Sequence, residues 1–188
     1  MPNYVYKRKN ISDLIEASQN SDIKALEELI KRVQKDVYSI FFHLCKKKND
    51  VSDLTQEALI KMAKSISTLK STKNFKSWLN QIITNVFYDY TRKNPNINFD
   101  YNEKELNEIK DKIGCEPGEK CLFSEIEKFI KIAIISLPYD LRITLLLREY
   151  EGLSYYDISK ITNTNIGTVK SRLSRAREKI QFALKDFI

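Results

Sequence analysis

A chain of 188 residues with 42% hydrophobic composition can form one domain or two small ones and is apolar enough to bury a core. Four glycines, four prolines and a scarcity of alternating apolar and polar runs argue against a sandwich or barrel and leave an all-α fold. The net charge of +7 favours a polyanionic partner, and three cysteines without CxxC spacing support neither a disulfide framework nor a structural zinc.

The N-terminal MPNYVYKRKN has charge without a following apolar core, and no apolar run approaches the roughly 20 residues of a membrane span. The expectation is a cytoplasmic protein with no membrane insertion. From Asp22 to Lys47, Leu26, Leu29, Ile30, Val33, Val37, Ile40, Phe41 and Leu44 recur at three- and four-residue spacing, the apolar face of a long helix. Lys24, Glu28, Lys31, Lys35 and Asp36 are assigned to its wet side. His43, beside Cys45, sits between packing residues Phe41 and Leu44 and is read as structural rather than as a metal ligand. A second helix runs from about Ser52 to Ser67, with Ser52 as N-cap and Leu54, Ala58, Met62 and Ile66 at four-residue intervals. After a loop at 68–74, a third helix shows the stripe Phe75, Trp78, Leu79, Ile82, Ile83, Val86 and Tyr90, which assigns its aromatics mainly to the core.

Composition changes after Lys93. Residues 94–124 hold 7 acidic against 4 basic side chains, whereas 1–93 hold 17 basic against 10 acidic and 125–188 hold 11 against 8. Two basic blocks flanking an acidic, aliphatic-poor joint give two small helical domains, 1–93 and 125–188, with a linker at 94–124. Helical periodicity resumes with Ile126, Phe129, Ile130, Ala133, Ile134 and Leu137 and stops at Pro138. A short helix at about Asp140 to Glu149 turns Leu141, Leu145 and Leu146 inward and ends at Gly152.

Ser154-Tyr155-Tyr156-Asp157 has capping-box form and starts a short helix with Ile158 and Ile161 inward. Thr162-Asn163-Thr164 is a tight turn in which Asn163 takes the left-handed conformation, and Asn165 caps the next helix. In that helix Val169, Leu173, Ala176 and Ile180 form one stripe; Thr168, Ser171, Arg172, Arg175 and Lys179, with Lys170 beside them, form a basic one. Two short helices joined by such a turn, the second basic near its start, are a helix-turn-helix whose second helix enters the major groove.

Leu137-Pro138, Arg142, Gly152-Leu153-Ser154-Tyr155, Asp157-Ile158 and Gly167-Thr168-Val169-Lys170-Ser171-Arg172-Leu173 with Arg175-Ala176-Arg177 resemble region 4 of bacterial sigma factors. In the N-terminal half, Asp53-Leu54-Thr55-Gln56-Glu57 resembles region 2.2, and Phe75, Trp78-Leu79, Ile82, Asn85, Asp89 and Arg92 resemble regions 2.3 and 2.4. The resemblance is to the short two-domain, extracytoplasmic-function type of the sigma-70 family. Asn163, Thr164 and Ile166 depart from the family pattern, which touches the turn geometry and not the motif.

The resemblance implies a dissociable specificity subunit, not itself an enzyme, that binds bacterial core RNA polymerase and promoter DNA. It places core binding on Asp53, Gln56 and Glu57. It places −10 element contacts on Lys70, Lys73, Asn74, Lys76, Asn85 and Arg92, with an Asp89–Arg92 surface pair as the other reading of that couple. The −35 contacts fall on Thr168, Lys170, Ser171, Arg172, Arg175 and Lys179. The linker would thread toward the polymerase active centre, as the family's linker does. Cofactors and metals are not expected, since no carboxylate pair, nucleophile with base or phosphate-binding glycine loop is visible. An anti-sigma factor is left open as a further partner. The rival reading is a helix-turn-helix regulator that does not bind core polymerase, which would ordinarily dimerise to match two half-sites.

Overall fold

A computed structural model describes residues 4–94 and 129–185. Apart from Asn94, the expected linker lies outside the described residues, as does Ile126. Every regular element among the described residues is helical, so the all-α expectation holds. The chain divides into two compact units, one ending at Tyr88 and the other beginning at Asp89.

The first unit contains α1 (Tyr4–Arg8), α2 (Ile11–Gln19), α3 (Ile23–Leu44) and α4 (Lys48–Ser65). Two single 3-10 turns, Ile66–Thr68 and Thr72–Asn74, lead into α5 (Phe75–Lys93), which continues past the unit boundary. α3 is the central member, packed against α1, α2 and α4. Asp22 caps it, accepting from the Lys24 and Ala25 amides at 3.0 and 3.1 Å. The buried face runs Ala25, Leu29, Val33, Val37, Ile40, Phe41 and Leu44; each large aliphatic removed from water there stabilises by about 1.5–3 kcal/mol. The four-residue ladder is buried as expected, Leu54, Ala58 and Met62 on α4 and Ile66 in the 3-10 turn that follows it.

Three expectations for this unit need correction, and two of its helices are additions. Glu28, assigned to water, is buried at 9% exposure because Arg32 folds over it and binds its carboxylate at 3.1 Å. Ser52 is not the cap of α4: the helix begins at Lys48, because Val51, 1% exposed, is drawn into the core by the preceding turn. On α5 the buried face is rotated from the expected stripe. Asn80, Thr84, Phe87 and Thr91 are buried beside Phe75, Leu79, Ile83 and Val86, while Trp78, Ile82 and Tyr90 are half-buried. α1 and α2 were not anticipated. α2 is nine residues long, but Asn10, accepting from the Asp13 amide at 2.8 Å, caps it, and Leu14, Ile15 and Ser18 seat it on α3.

The second unit contains a helix at 129–135, here α6, followed by α7 (Tyr139–Glu149), α8 (Tyr155–Ile161) and α9 (Ile166–Leu184). In α6 Ile135 rather than Ile134 is buried, beside Phe129 and Ala133, and Ile130 is 37% exposed. Arg142, 3% exposed, donates from Nε and Nη2 to the Leu137 carbonyl at 3.2 and 2.8 Å, satisfying an oxygen at the bend that Pro138 imposes. α7 packs on both α8 and α9, burying every residue from Leu141 to Leu147. It ends at Glu149, and Gly152 just beyond, with φ of 67°, carries the chain into a return bond from the Leu153 amide to the Leu147 carbonyl at 3.0 Å.

Candidate nucleic-acid interface

α8 and α9 are set by the local devices read from the sequence. Ser154 Oγ accepts from the Asp157 amide at 3.1 Å and donates to the Asp157 carboxylate at 2.6 Å. The carboxylate therefore holds the hydroxyl rather than the Ser154 amide. Asn163 takes φ 52°, and Asn165 Oδ1 accepts from the Thr168 amide at 2.7 Å. Gly167 answers a close approach: a Cβ there would lie 3.2 Å from Asn165 Oδ1 and crowd the cap.

Val169, Leu173 and Ala176 are the buried residues of α9. By helical geometry the opposite side is Gly167, Ser171, Ser174, Arg175, Glu178 and Phe182, all exposed. Of the residues expected to reach a duplex, Lys170, Ser171, Arg175 and Lys179 are exposed and Thr168 is half-buried. Arg172 departs from that expectation. Its guanidinium pairs with Asp140 of α7 at 3.0 Å and the side chain keeps 18% of its exposure, because its flank of the helix faces α7. On the other flank a depression is walled by Tyr155, Lys170 and Arg177. Arg177 donates to Glu149 Oε1 at 2.6 and 3.1 Å, and that bond raises its already high pKa further. Arg148 lies over the Tyr155 ring, 4.9 Å from its centroid, and donates to the Leu153 carbonyl. Sequence reasoning missed Ser174, Tyr155 and Arg177 as members of this surface. The signal was available: centring the wheel opposite the buried stripe, rather than on the basic residues, puts Ser174 on the exposed side.

In the first unit Lys70, Lys73, Asn74 and Lys76 are exposed along the second 3-10 turn and the first turn of α5, one cationic run of chain. The run is anchored from α2, where Gln19 Nε2 donates to the Ile66 and Leu69 carbonyls at 3.0 and 2.7 Å. Sequence reasoning missed Gln19, since only the fold brings α2 to that turn. Asn85 is exposed on α5, and Arg92 is paired with Asp89. On α4, Asp53 and Gln56 are exposed, and Glu57, paired with Lys61 at 2.8 Å, is half exposed. Ile60, 53% exposed, completes the same helix face at the spacing 53, 56, 57, 60.

Residues 29–96 match Sigma-70 region 2, and residues 133–180 match Sigma-70, region 4. The chain is 34% identical over 174 residues to the ECF RNA polymerase sigma-E factor of Haemophilus influenzae, covering 89% of this chain and 92% of that protein. It is 34% identical over 186 residues to the ECF RNA polymerase sigma-E factor of Escherichia coli K12, covering 93% and 94%. The chain belongs to the sigma-70 family, as an ECF sigma factor.

Among solved structures it is similar to the sigma factor RpoE of Bartonella quintana, determined in complex with the anti-sigma factor NepR. The TM-score is 0.64 at 28% identity, covering 86% of this chain and 98% of that one. CnrH, solved with the cytosolic domain of CnrY, shares the fold at TM-score 0.64 and 16% identity. As a sigma factor the chain acts with core RNA polymerase in promoter-specific transcription initiation. The presence of region 2 disfavours a regulator that never meets the polymerase. The family is non-enzymatic and acts on DNA and polymerase. Among the described residues no helix is long and apolar enough to cross a membrane, and no group of three or more His, Cys, Asp and Glu could hold a metal ion.

Proposed function

We propose that the two domains expected from the sequence, 1–93 and 125–188, divide the work of initiation. Residues 1–93 bind core polymerase through Asp53, Gln56 and Glu57 and the −10 element through Lys70, Lys73, Asn74, Lys76, Asn85 and Arg92. Residues 125–188 bind the −35 element through Lys170, Ser171, Arg175 and Lys179, with Thr168 at the edge and Arg172 positioning α9 from beneath. Residues 94–124 join them. The chain supplies no catalysis of its own, since bond formation belongs to the polymerase, and it works in the cytoplasm.

The observation that carries this reading is the contrast between two exposed helix faces. α4 presents Asp53, Gln56 and Glu57 on a unit that is otherwise basic, suited to a cationic protein partner. α9 presents small and basic side chains from its capped first turn onward, suited to a groove about 12 Å wide. An anti-sigma protein as a further, reversible partner is supported by the complex in which the Bartonella quintana sigma factor was solved.

Purified chain added to bacterial core polymerase on a promoter bearing both elements should bind core and support initiation. Failure of both would overturn the assignment. Substituting Gln56 and Glu57 should impair core binding while sparing duplex binding by the second unit; the reverse order would mean that the two surfaces are exchanged.

A further inference from the structure

The N-terminal turn is an element that the matched region 2, beginning at residue 29, does not cover. α1 is five residues long and closes on Lys7, Arg8 and Lys9, three consecutive cations of which Lys7 and Arg8 are exposed and Lys9 half-buried. A helix of that length does not hold itself in water. It is held from α3 at two points. Tyr6 is 6% exposed and its hydroxyl donates to the Asp22 carboxylate at 2.8 Å. Arg32 donates to three main-chain carbonyls of the turn, Tyr6 and Lys7 at 2.9 Å each and Lys9 at 2.6 Å, while its Nε binds the buried Glu28 at 3.1 Å.

This arrangement runs against the fold's own interest in charge. A fourth cation is brought to the backbone beneath three others, on a segment holding 17 basic against 10 acidic residues. A buried carboxylate is desolvated to fix that cation's direction, and breaking such a pair is costly while keeping it adds little stability. The gain is geometric: the guanidinium consumes the carbonyls, so exposed Lys7 and Arg8 are carried on a fixed backbone, and Lys9 is held beside them with its ammonium over the Tyr6 ring, 5.2 Å from the centroid. Cations at the end of α1 also suit its dipole, but that effect needs neither a third residue nor a clamp.

We infer that the clamped turn Lys7–Arg8–Lys9 is a contact for the phosphate backbone of promoter DNA in the assembled polymerase complex. The inference rests on the sigma-factor reading for its DNA. It assigns a positioning role to Arg32, which orders the turn without touching DNA. A preordered cationic turn loses less side-chain and main-chain freedom on binding than a free basic tail, and it neutralises phosphates without reading sequence.

The test is the salt dependence of promoter binding by holoenzyme carrying K7A/R8A/K9A, with core affinity measured in parallel. Each phosphate contact on duplex DNA contributes a slope of about 0.9 in log affinity against log salt. The triple variant should lower the slope by about two to three, equally on promoters of different sequence, with core affinity unchanged. An unchanged slope would overturn the inference. Lost core affinity with an unchanged slope would also overturn it and assign the turn to the polymerase. Failure of wild-type chain to bind core would instead indict the sigma reading. Arg32→Met should reduce the slope in the wild-type background and leave it unaltered in the triple variant. A further reduction in the triple variant would mean that Arg32 contacts DNA itself. Lys7 and Arg8 are exposed, so K7A/R8A should melt as the wild type does and lower the slope by about two, which separates the loss of phosphate contacts from any loosening caused by removing half-buried Lys9.

Discussion

α5 and α9 are both 19 residues long, and they are held in opposite ways. α5 buries Phe75, Leu79, Asn80, Ile83, Thr84, Val86, Phe87 and Thr91, whereas α9 buries Val169, Leu173 and Ala176. A helix enclosed on so much of its circumference has little surface left to vary, and its exposed residues, such as Lys76, Asn85 and Arg92, are spaced widely. A helix held by one narrow edge leaves the rest of its surface to a partner, at the cost of depending on its cap, its turn and a few contacts. The first design suits a scaffold that carries a loop; the second suits a reading helix.

That difference is open to attack by truncating one buried residue on each helix. Phe87 is fully buried, and Phe87→Ala should destabilise the first unit by about 3–5 kcal/mol. Leu173, 1% exposed, is one of three anchors, and Leu173→Ala should cost about 2–5 kcal/mol and remove duplex binding together with helical signal from the second unit. Thermal unfolding followed by circular dichroism, with duplex binding measured below the transition, checks both. If Leu173→Ala left duplex binding intact at a temperature where the wild type is folded, α9 would not depend on its narrow edge.

A finer cut separates two arginines on α9. Arg175→Ala should weaken duplex binding by about 1–3 kcal/mol and leave the melting temperature nearly unchanged, as expected for an exposed group that reaches DNA. Arg172→Ala should do the reverse, lowering the melting temperature by freeing Asp140 while weakening binding less. Equal effects of the two on binding would return Arg172 to the DNA face.

How legible these helices were follows from where their information lies. Asn163, Asn165, Ser154 and Gly152 act on neighbours within a few residues, so their roles in turns and caps are written locally and hold in the structure. The family motifs then supplied both of the surfaces proposed above. The inward face of α5 was misread because Asn80, Thr84 and Thr91 are polar. Their burial is set by what surrounds the helix, not by their own hydropathy. Arg172 was placed with its basic neighbours because a wheel sorts by direction and cannot show that Asp140 waits on that flank. Glu28 was sent to water for the same reason, its partner Arg32 being also a partner of carbonyls more than twenty residues away. α1 and α2 are too short for periodicity to declare them.

Removing a cap tests the dependence of α9 on its ends. Asn165→Ala should cost about 1 kcal/mol, read as a lowered melting temperature of the second unit with reduced duplex binding. Asn165→Asp should recover most of the cap, since a carboxylate accepts from the same amide, while weakening duplex binding through its charge. Recovery of stability without recovery of binding would show that the cap and the DNA face are separable.

The smallest effect concerns what each cap is made of. Asn165 is an amide and does not titrate, whereas α3 is capped by the Asp22 carboxylate. The Tyr6 hydroxyl foremost, then the Ala25 and Lys24 amides and the charge of Lys9, hold Asp22 below the usual carboxylate range, against a smaller opposing effect of burial. A carboxyl more acidic in the folded chain stabilises it above its unfolded pKa, and that stabilisation is lost as pH falls through the folded value. Tyr6 is shifted upward by the same bond, so its share is present below the ordinary phenol range and is lost as pH rises through the folded value. Acid should therefore loosen α3 and its hold on α1 while sparing the cap of α9. Asp22→Asn keeps an acceptor for the Lys24 and Ala25 amides but removes the titration, so the melting temperature of the first unit should fall less steeply in acid than that of the wild type. Parallel curves for variant and wild type would mean that acid lability resides in carboxylates other than the α3 cap.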